Sequence, residues 1–275
     1  WPIEILPANF WRAGNQDGAS SYQALAAFAQ PNHPYLRKIL DDAVANLRKS
    51  HPQGSLSGYQ NPGLVDPLVE SIYASIQSLG LTYSDPPASW SGGIGQKVRT
   101  AQEILDEKVG TCLDTTMLFA GCLEQAGLAP IVFLIPGHAF VGYWTAEFSM
   151  QYEGHIPRTN PIQSVDSLAN YIDLKHIRLI ETTSLTRTTD FVSAQKEALS
   201  RLEGEDAFGA GRSSSVGIDV LGCRRSERPI HPLPARVSNQ DGTVEVHEYK
   251  PPVVDLEMLR KRFAERDAIS GQTVT

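Results

Sequence analysis

Cys112, His138 and Glu181 are residue types that could do nucleophilic chemistry together. Cys112 stands at the mouth of a predicted helix. Thr111 and Asp114 form a Thr-x-x-Asp capping box just ahead of an apolar run. A thiol in a first helical turn feels the positive end of the helix dipole and its free N–H groups, which favour thiolate. A histidine on a strand packed against that helix could take the thiol proton and stay beside it as imidazolium. The N–H groups of the same helix mouth would face the oxyanion of a tetrahedral intermediate. A third group must orient the imidazole, and Glu181, at the end of the strand-like run Ile177 to Ile180, is the candidate.

Each residue also has a plainer role open to it. A cysteine on a buried helix is more often a small core hydrophobe, which suits Cys122 within the apolar stretch. His138 could be a turn histidine satisfied by backbone, and Glu181 could cap a strand end or pair with Arg178. Gln96, upstream of Cys112, is an oxyanion-hole candidate; the alternative is a surface amide that holds its loop together. Trp90 and Trp144 are candidate walls of a substrate cleft, with core packing as the alternative for each. Cys112, Cys122, Cys223 and His138 lack the short paired spacings of structural zinc, so no metal site is expected.

The elements that must position these residues are legible around them. The helix from Cys112 is apolar on more than one face and ends at Gly127. Ile131 to Ile135 is a continuous apolar run of strand length, and Pro136-Gly137 is a turn. His138 opens the return strand, antiparallel after so short a link. Upstream, Pro34 starts a helix to about Arg48, and a second helix spans Pro67 to Leu79. Thr100 to Glu103 caps a short helix that delivers the chain to Cys112. Ser20 to Ala29 and Ser167 to Tyr171 are short helical stretches, and Asp190 to Glu203 has helical spacing. Gly217 to Leu221 is a last strand, while residues 85–95 and 145–166 are loop-like.

The motifs Gly-Thr-Cys-Leu-Asp (110–114), Gly-His-Ala-Phe (137–140) and Ile-Glu-Thr-Thr (180–183) resemble those of the transglutaminase-like cysteine peptidase superfamily. GYQNPG, DPPASW, GQKVRT, GTCLD and the late PLP are similar to a bacterial branch often fused to large helicase-like multidomain proteins. The resemblance runs in motif order from about Ile3 to Pro234. It implies an α+β, papain-like fold with a central Cys-bearing helix on an antiparallel sheet. The implied activity is that of a thiol protease: hydrolysis of a protein or peptide through a Cys112-His138-Glu181 triad and a thioester, without a cofactor. Transglutaminase or deamidase action on Gln side chains would use the same residues. A non-catalytic docking module of a helicase or defence protein is the alternative from another class. Glu181 stands where the family more often has Asp, one methylene shorter.

Composition sets the outer limits. The 275 residues suffice for one sizeable domain with an appendage. Residues 1–235 are expected to form the peptidase-like domain, with a helical part at 1–109 and the catalytic helix and sheet at 110–235. Residues 236–275 are expected as a linker or tail, with a charged helix at Leu256 to Arg266. A net charge of −7 gives no support to phosphate-neutralising nucleic-acid binding. No apolar run is long enough to span a membrane. An odd number of cysteines without paired spacing points to a reducing, cytoplasmic setting. The start at Trp1 suggests a piece of a longer chain, whose other domains would be partners alongside a protein or peptide substrate.

Overall fold

A computed structural model describes residues 7–12, 22–85, 95–146, 161–203, 215–239 and 241–249. Its centre is a helix, α4 (Cys112–Gln125), buried at every residue from Cys112 to Leu123. The capping box forms in both directions: Asp114 N–H donates to Thr111 Oγ1 at 3.2 Å, and Thr111 N–H to Asp114 Oδ2 at 2.9 Å. Gly127, at φ 79°, closes the far end in the left-handed conformation that favours glycine.

Burial all round α4 follows from its place between two layers. On one side lie α1 (Pro34–Ser50) and α2 (Val65–Gln77), which pack on each other and on α4. On the other lies an antiparallel sheet in the order β7-β9-β5-β6-β8. Its strands are β5 (Pro130–Ile135), β6 (His138–Trp144), β7 (Ile162–Ser164), β8 (Ile177–Ile180) and β9 (Val216–Asp219). Val132, Leu134, Ala139 and Val141 face the α4 core. Phe133, Phe140, Trp144 and Leu179 face a second core, closed by α5 (Val165–Asp173) and α6 (Phe191–Glu203). Covered on both faces, β5 and β6 have no polar side to show, which is why their sequences run apolar without alternation. The fold is mixed α+β.

Short elements complete the upstream part: β1 (Phe10–Trp11), β2 (Thr82–Tyr83), β3 (Gln96–Lys97), α3 (Ala101–Glu107) and β4 (Val109–Gly110). β1 pairs β3 antiparallel, and β2 pairs β4 in parallel just ahead of Cys112.

The short helical stretch expected at 20–29 is α-helical at 22–24 and tightens to a 3₁₀ turn at Leu25–Phe28, while two other stretches differ from expectation. The last strand of the sheet stops at Asp219, whose side chain accepts from Gly222 N–H at 2.9 Å and caps a short α7 (Val220–Arg225). A strand reading of that stretch misses the cap because Val220 and Leu221 carry the apolar run on beyond Asp219. Beyond Pro234, β10 (Ala235–Ser238) and β11 (Val244–His247) form a hairpin rather than a linker. Ser238 and Gln102 exchange hydrogen bonds, and Leu233 N–H donates to Ala27 O at 2.7 Å, so this stretch is tied to the body. The expected charged helix at 256–266 lies outside the described residues. No helix among the described residues is long and apolar enough to cross a membrane.

Candidate active site

Two matched lengths bring His138 level with Cys112. The 14 residues of α4 rise about 21 Å. The six residues of β5 then return about 20 Å toward the helix start. The Pro136-Gly137 turn, with Gly137 at φ 72°, pairs Ile135 with His138 and sets the imidazole at that end of the sheet. There the Cys112 thiol and the His138 imidazole lie within hydrogen-bonding reach. β8 runs antiparallel to β6 and ends at the same edge, delivering Glu181. His138 Nε2 and Glu181 Oε2 are 2.8 Å apart, leaving Nδ1 as the ring nitrogen for Cys112.

The carboxylate of Glu181 is fully buried and saturated with donors. Oε1 accepts from Thr183 N–H at 2.9 Å and from Thr183 Oγ1 at 2.8 Å. Oε2 meets His138 Nε2 and also Arg201 Nε, at 2.6 Å. Glu181 thereby caps the 3₁₀ turn Thr182–Thr186 while reaching the imidazole. The extra methylene over Asp lets one side chain do both. Burial alone would raise its pKa, but the bonds and charge of His138, the Thr183 N–H and Arg201 together hold it below the usual carboxylate value. For His138 burial favours the neutral ring, yet hydrogen bonds to Cys112 and Glu181 and the Glu181 charge outweigh it and lift the pKa to about 9. The imidazole is therefore a cation through neutral pH, set between the Cys112 sulfur and a carboxylate.

Hydroxyls and ions lock the helix in this position. Thr115 Oγ1 and Thr116 Oγ1 stand 3.2 and 2.9 Å from Thr182 Oγ1, tying α4 to the residue after Glu181. Asp114, also buried, accepts from Arg99 N–H at 2.7 Å and from Arg99 Nη1 at 2.8 Å, so its role is cap and anchor. On the open side, the parallel β2–β4 pairing places Tyr83 opposite Gly110. The Tyr83 phenol lies within hydrogen-bonding reach of the Cys112 sulfur.

Cys112 and His138 come together with Glu181; the other candidates behave differently. Gln96 is buried in β3, its Nε2 without a partner among the described residues, and no described contact joins it to Cys112. Its strand does lead into Arg99, the anchor of Asp114. Trp144 is a correction: it lies at the far end of β6, about 20 Å of strand from His138. It packs edge-on against Tyr171 in the second core, so it forms no wall of this site. Trp90 lies outside the described residues. Cys122 and Cys223 are buried and unbridged, their thiol pKa values pushed up by burial, that of Cys223 to about 12. Among the described residues no cluster of His, Cys, Asp or Glu is grouped to hold a metal.

Sequence reasoning missed Tyr83, Arg201 and the Thr115-Thr116-Thr182 clasp. The adjacent threonines at 115–116 and 182–183 were a signal, because hydroxyls inside otherwise apolar segments need partners. Tyr83, in a strand of two residues, left no periodic trace. No family model matches the chain, no curated protein matches it, and no solved structure matches it.

Proposed function

We propose that this chain is a cysteine-dependent acyl-transfer enzyme of papain-like or transglutaminase-like type, hydrolysing amide bonds of a protein or peptide. The observation that carries the reading is the buried Glu181 carboxylate 2.8 Å from His138 Nε2, with the other face of the ring turned to a thiol at a helix N-terminus. A core cysteine needs no charged imidazole beside it, and among the described residues Cys122 and Cys223 have none.

In the reaction, the Cys112 thiolate adds to the amide carbonyl while imidazolium His138 holds the proton. Collapse of the adduct breaks the C–N bond, and the His138 proton leaves with the amine. His138, now neutral, takes a proton from water, which attacks the thioester. Collapse of this second adduct breaks the C–S bond and releases the acid, leaving the Cys112 thiolate beside imidazolium His138 as at the start. Glu181 keeps the ring oriented and its cation stabilised throughout. With a lysine amine as acceptor the same steps would cross-link, and with a glutamine side chain as donor they would deamidate.

The test is alkylation by iodoacetamide across pH, with the modified site located by mass spectrometry. Wild type should react at Cys112 well before Cys122 or Cys223. His138→Asn should lose that preference at pH 6 to 7, where an unassisted thiol of pKa about 8.5 is mostly protonated. Equal labelling of wild type and His138→Asn at that pH would sink the reading.

A further inference from the structure

We propose that Tyr83 is a further catalytic residue of this site: held beside the Cys112 sulfur by the β2–β4 pairing, its phenol O–H donates to the oxyanion formed when that sulfur adds to an acyl carbonyl. The proposal rests on Cys112 being the nucleophile.

Placement is set by backbone. Thr82 N–H donates to Lys108 O at 2.8 Å, and Ser84 N–H to Gly110 O at 3.0 Å, clamping Tyr83 from both sides against the residues that lead into Cys112. The same strand packs on the 3₁₀ turn that follows Glu181, and the ring leans on the α4 core. Tyr83 thus belongs to the wall of the site, fixed by elements that also carry the other members.

Chemistry asks for such a donor. An oxyanion hole needs N–H or O–H groups aimed where charge develops. At this helix start the capping box occupies two amides, Thr111 N–H with Asp114 Oδ2 and Asp114 N–H with Thr111 Oγ1. Fewer backbone donors remain, so a side-chain donor has work there. The new C–O⁻ lies one bond beyond the carbon that the sulfur has joined. A hydroxyl in reach of the sulfur comes into reach of that oxygen by a small torsion. Burial, and after it the Cys112 charge, push the phenol pKa up to about 12, so the group stays a donor at neutral pH.

Two reagents separate this role from a structural one. Acylation of Cys112 by 4-nitrophenyl acetate passes through an oxyanion, whereas alkylation by iodoacetamide does not. Tyr83→Phe keeps the ring and its packing in the full chain. Its acylation rate should fall at least about tenfold, toward the ~10²–10³ known for loss of one oxyanion donor, with alkylation changed by less than about threefold. Unchanged acylation, or equal losses in both reactions, overturns the proposal. Wild-type Cys112 inert to both reagents would instead overturn the acyl-transfer reading beneath it. Normal wild-type reactivity with an unaffected Tyr83→Phe removes Tyr83 alone.

Discussion

His138 and Arg201 share one oxygen: Glu181 Oε2 lies 2.8 Å from the imidazole Nε2 and 2.6 Å from the guanidinium Nε. The acid is thus held from two sides, by a ring it orients and by a cation that keeps it ionised. Glu181→Gln retains an acceptor for Nε2–H but removes the charge. The His138 pKa should fall, and the thiolate–imidazolium population with it, at about tenfold per unit. Alkylation of Cys112 near pH 6.5 reads this directly, and a rate equal to wild type would show that Glu181 does not act on the ring.

Arg201 should act in the opposite sense. Its charge sits beside the imidazolium and competes for the same lone pairs, so Arg201→Gln should raise the His138 midpoint above its value of about 9. Arg201 is about half exposed, 44% at the side chain, and solvent screens it. The rise should therefore be a few tenths to about one unit. Imidazole resonances followed by NMR against pH provide the measurement.

The pair also makes stability depend on pH, with a sign fixed by the two shifts. His138 is raised from 6.5 to about 9, so its contribution is complete below pH 6.5 and lost as pH climbs through 9. Glu181 is lowered from 4.5, so its contribution is complete above that pH and lost as pH falls through its folded value. The melting-temperature gap between wild type and His138→Asn should be widest near pH 5 to 6 and shrink toward about pH 10. A gap constant over that range would mean that the ring is neutral in the folded protein.

Asp114 is a test of the helix mouth. Asp114→Ala strands Arg99 Nη1, Arg99 N–H and Thr111 N–H at once. Loss of a buried ion pair and a cap together should cost about 2–4 kcal/mol in urea unfolding, read from the midpoint at unchanged slope. Asp114→Asn, which keeps an acceptor oxygen, should cost less.

Gly142 tests the sheet that carries His138. A Cβ there would fall 2.6 Å from Phe133 Cε2 and 3.1 Å from Arg178 O. Phe133 is already stacked on Phe140, 5.4 Å between ring centres and 7° between planes, and has no room to move aside. Gly142→Ala should destabilise by about 1–3 kcal/mol in the same unfolding measurement.

What the sequence determined by itself is local. Thr111 and Asp114 specify where α4 begins, Gly127 where it stops, and Pro136-Gly137 where β5 turns into β6. Each depends on interactions a few residues apart, and together they carry Cys112 and His138 to one end of the fold within a single helix, strand and turn. Glu181 was legible from its place at the end of the strand-like run 177–180, whereas the other groups that come to the site from farther along the chain were decided by tertiary structure. Tyr83 arrives through a parallel pairing of two residues with β4, too short to leave a pattern. Arg201 looks like an ordinary polar position near the end of α6 until that helix is laid over the sheet and its guanidinium meets Glu181. Trp144 could not be assigned to cleft or core from its neighbours, because a strand buried on both faces does not alternate. The hairpin of β10 and β11 does alternate, with Ala235, Val237, Val244 and Val246 at every second position, but Val244 and Val246 face solvent, so no core marks the stretch as a strand. Its pairing partner and its tether to Gln102 hold it instead. Caps and turns are written in adjacent residues; pairings between distant segments depend on which surfaces the folded chain leaves to be covered.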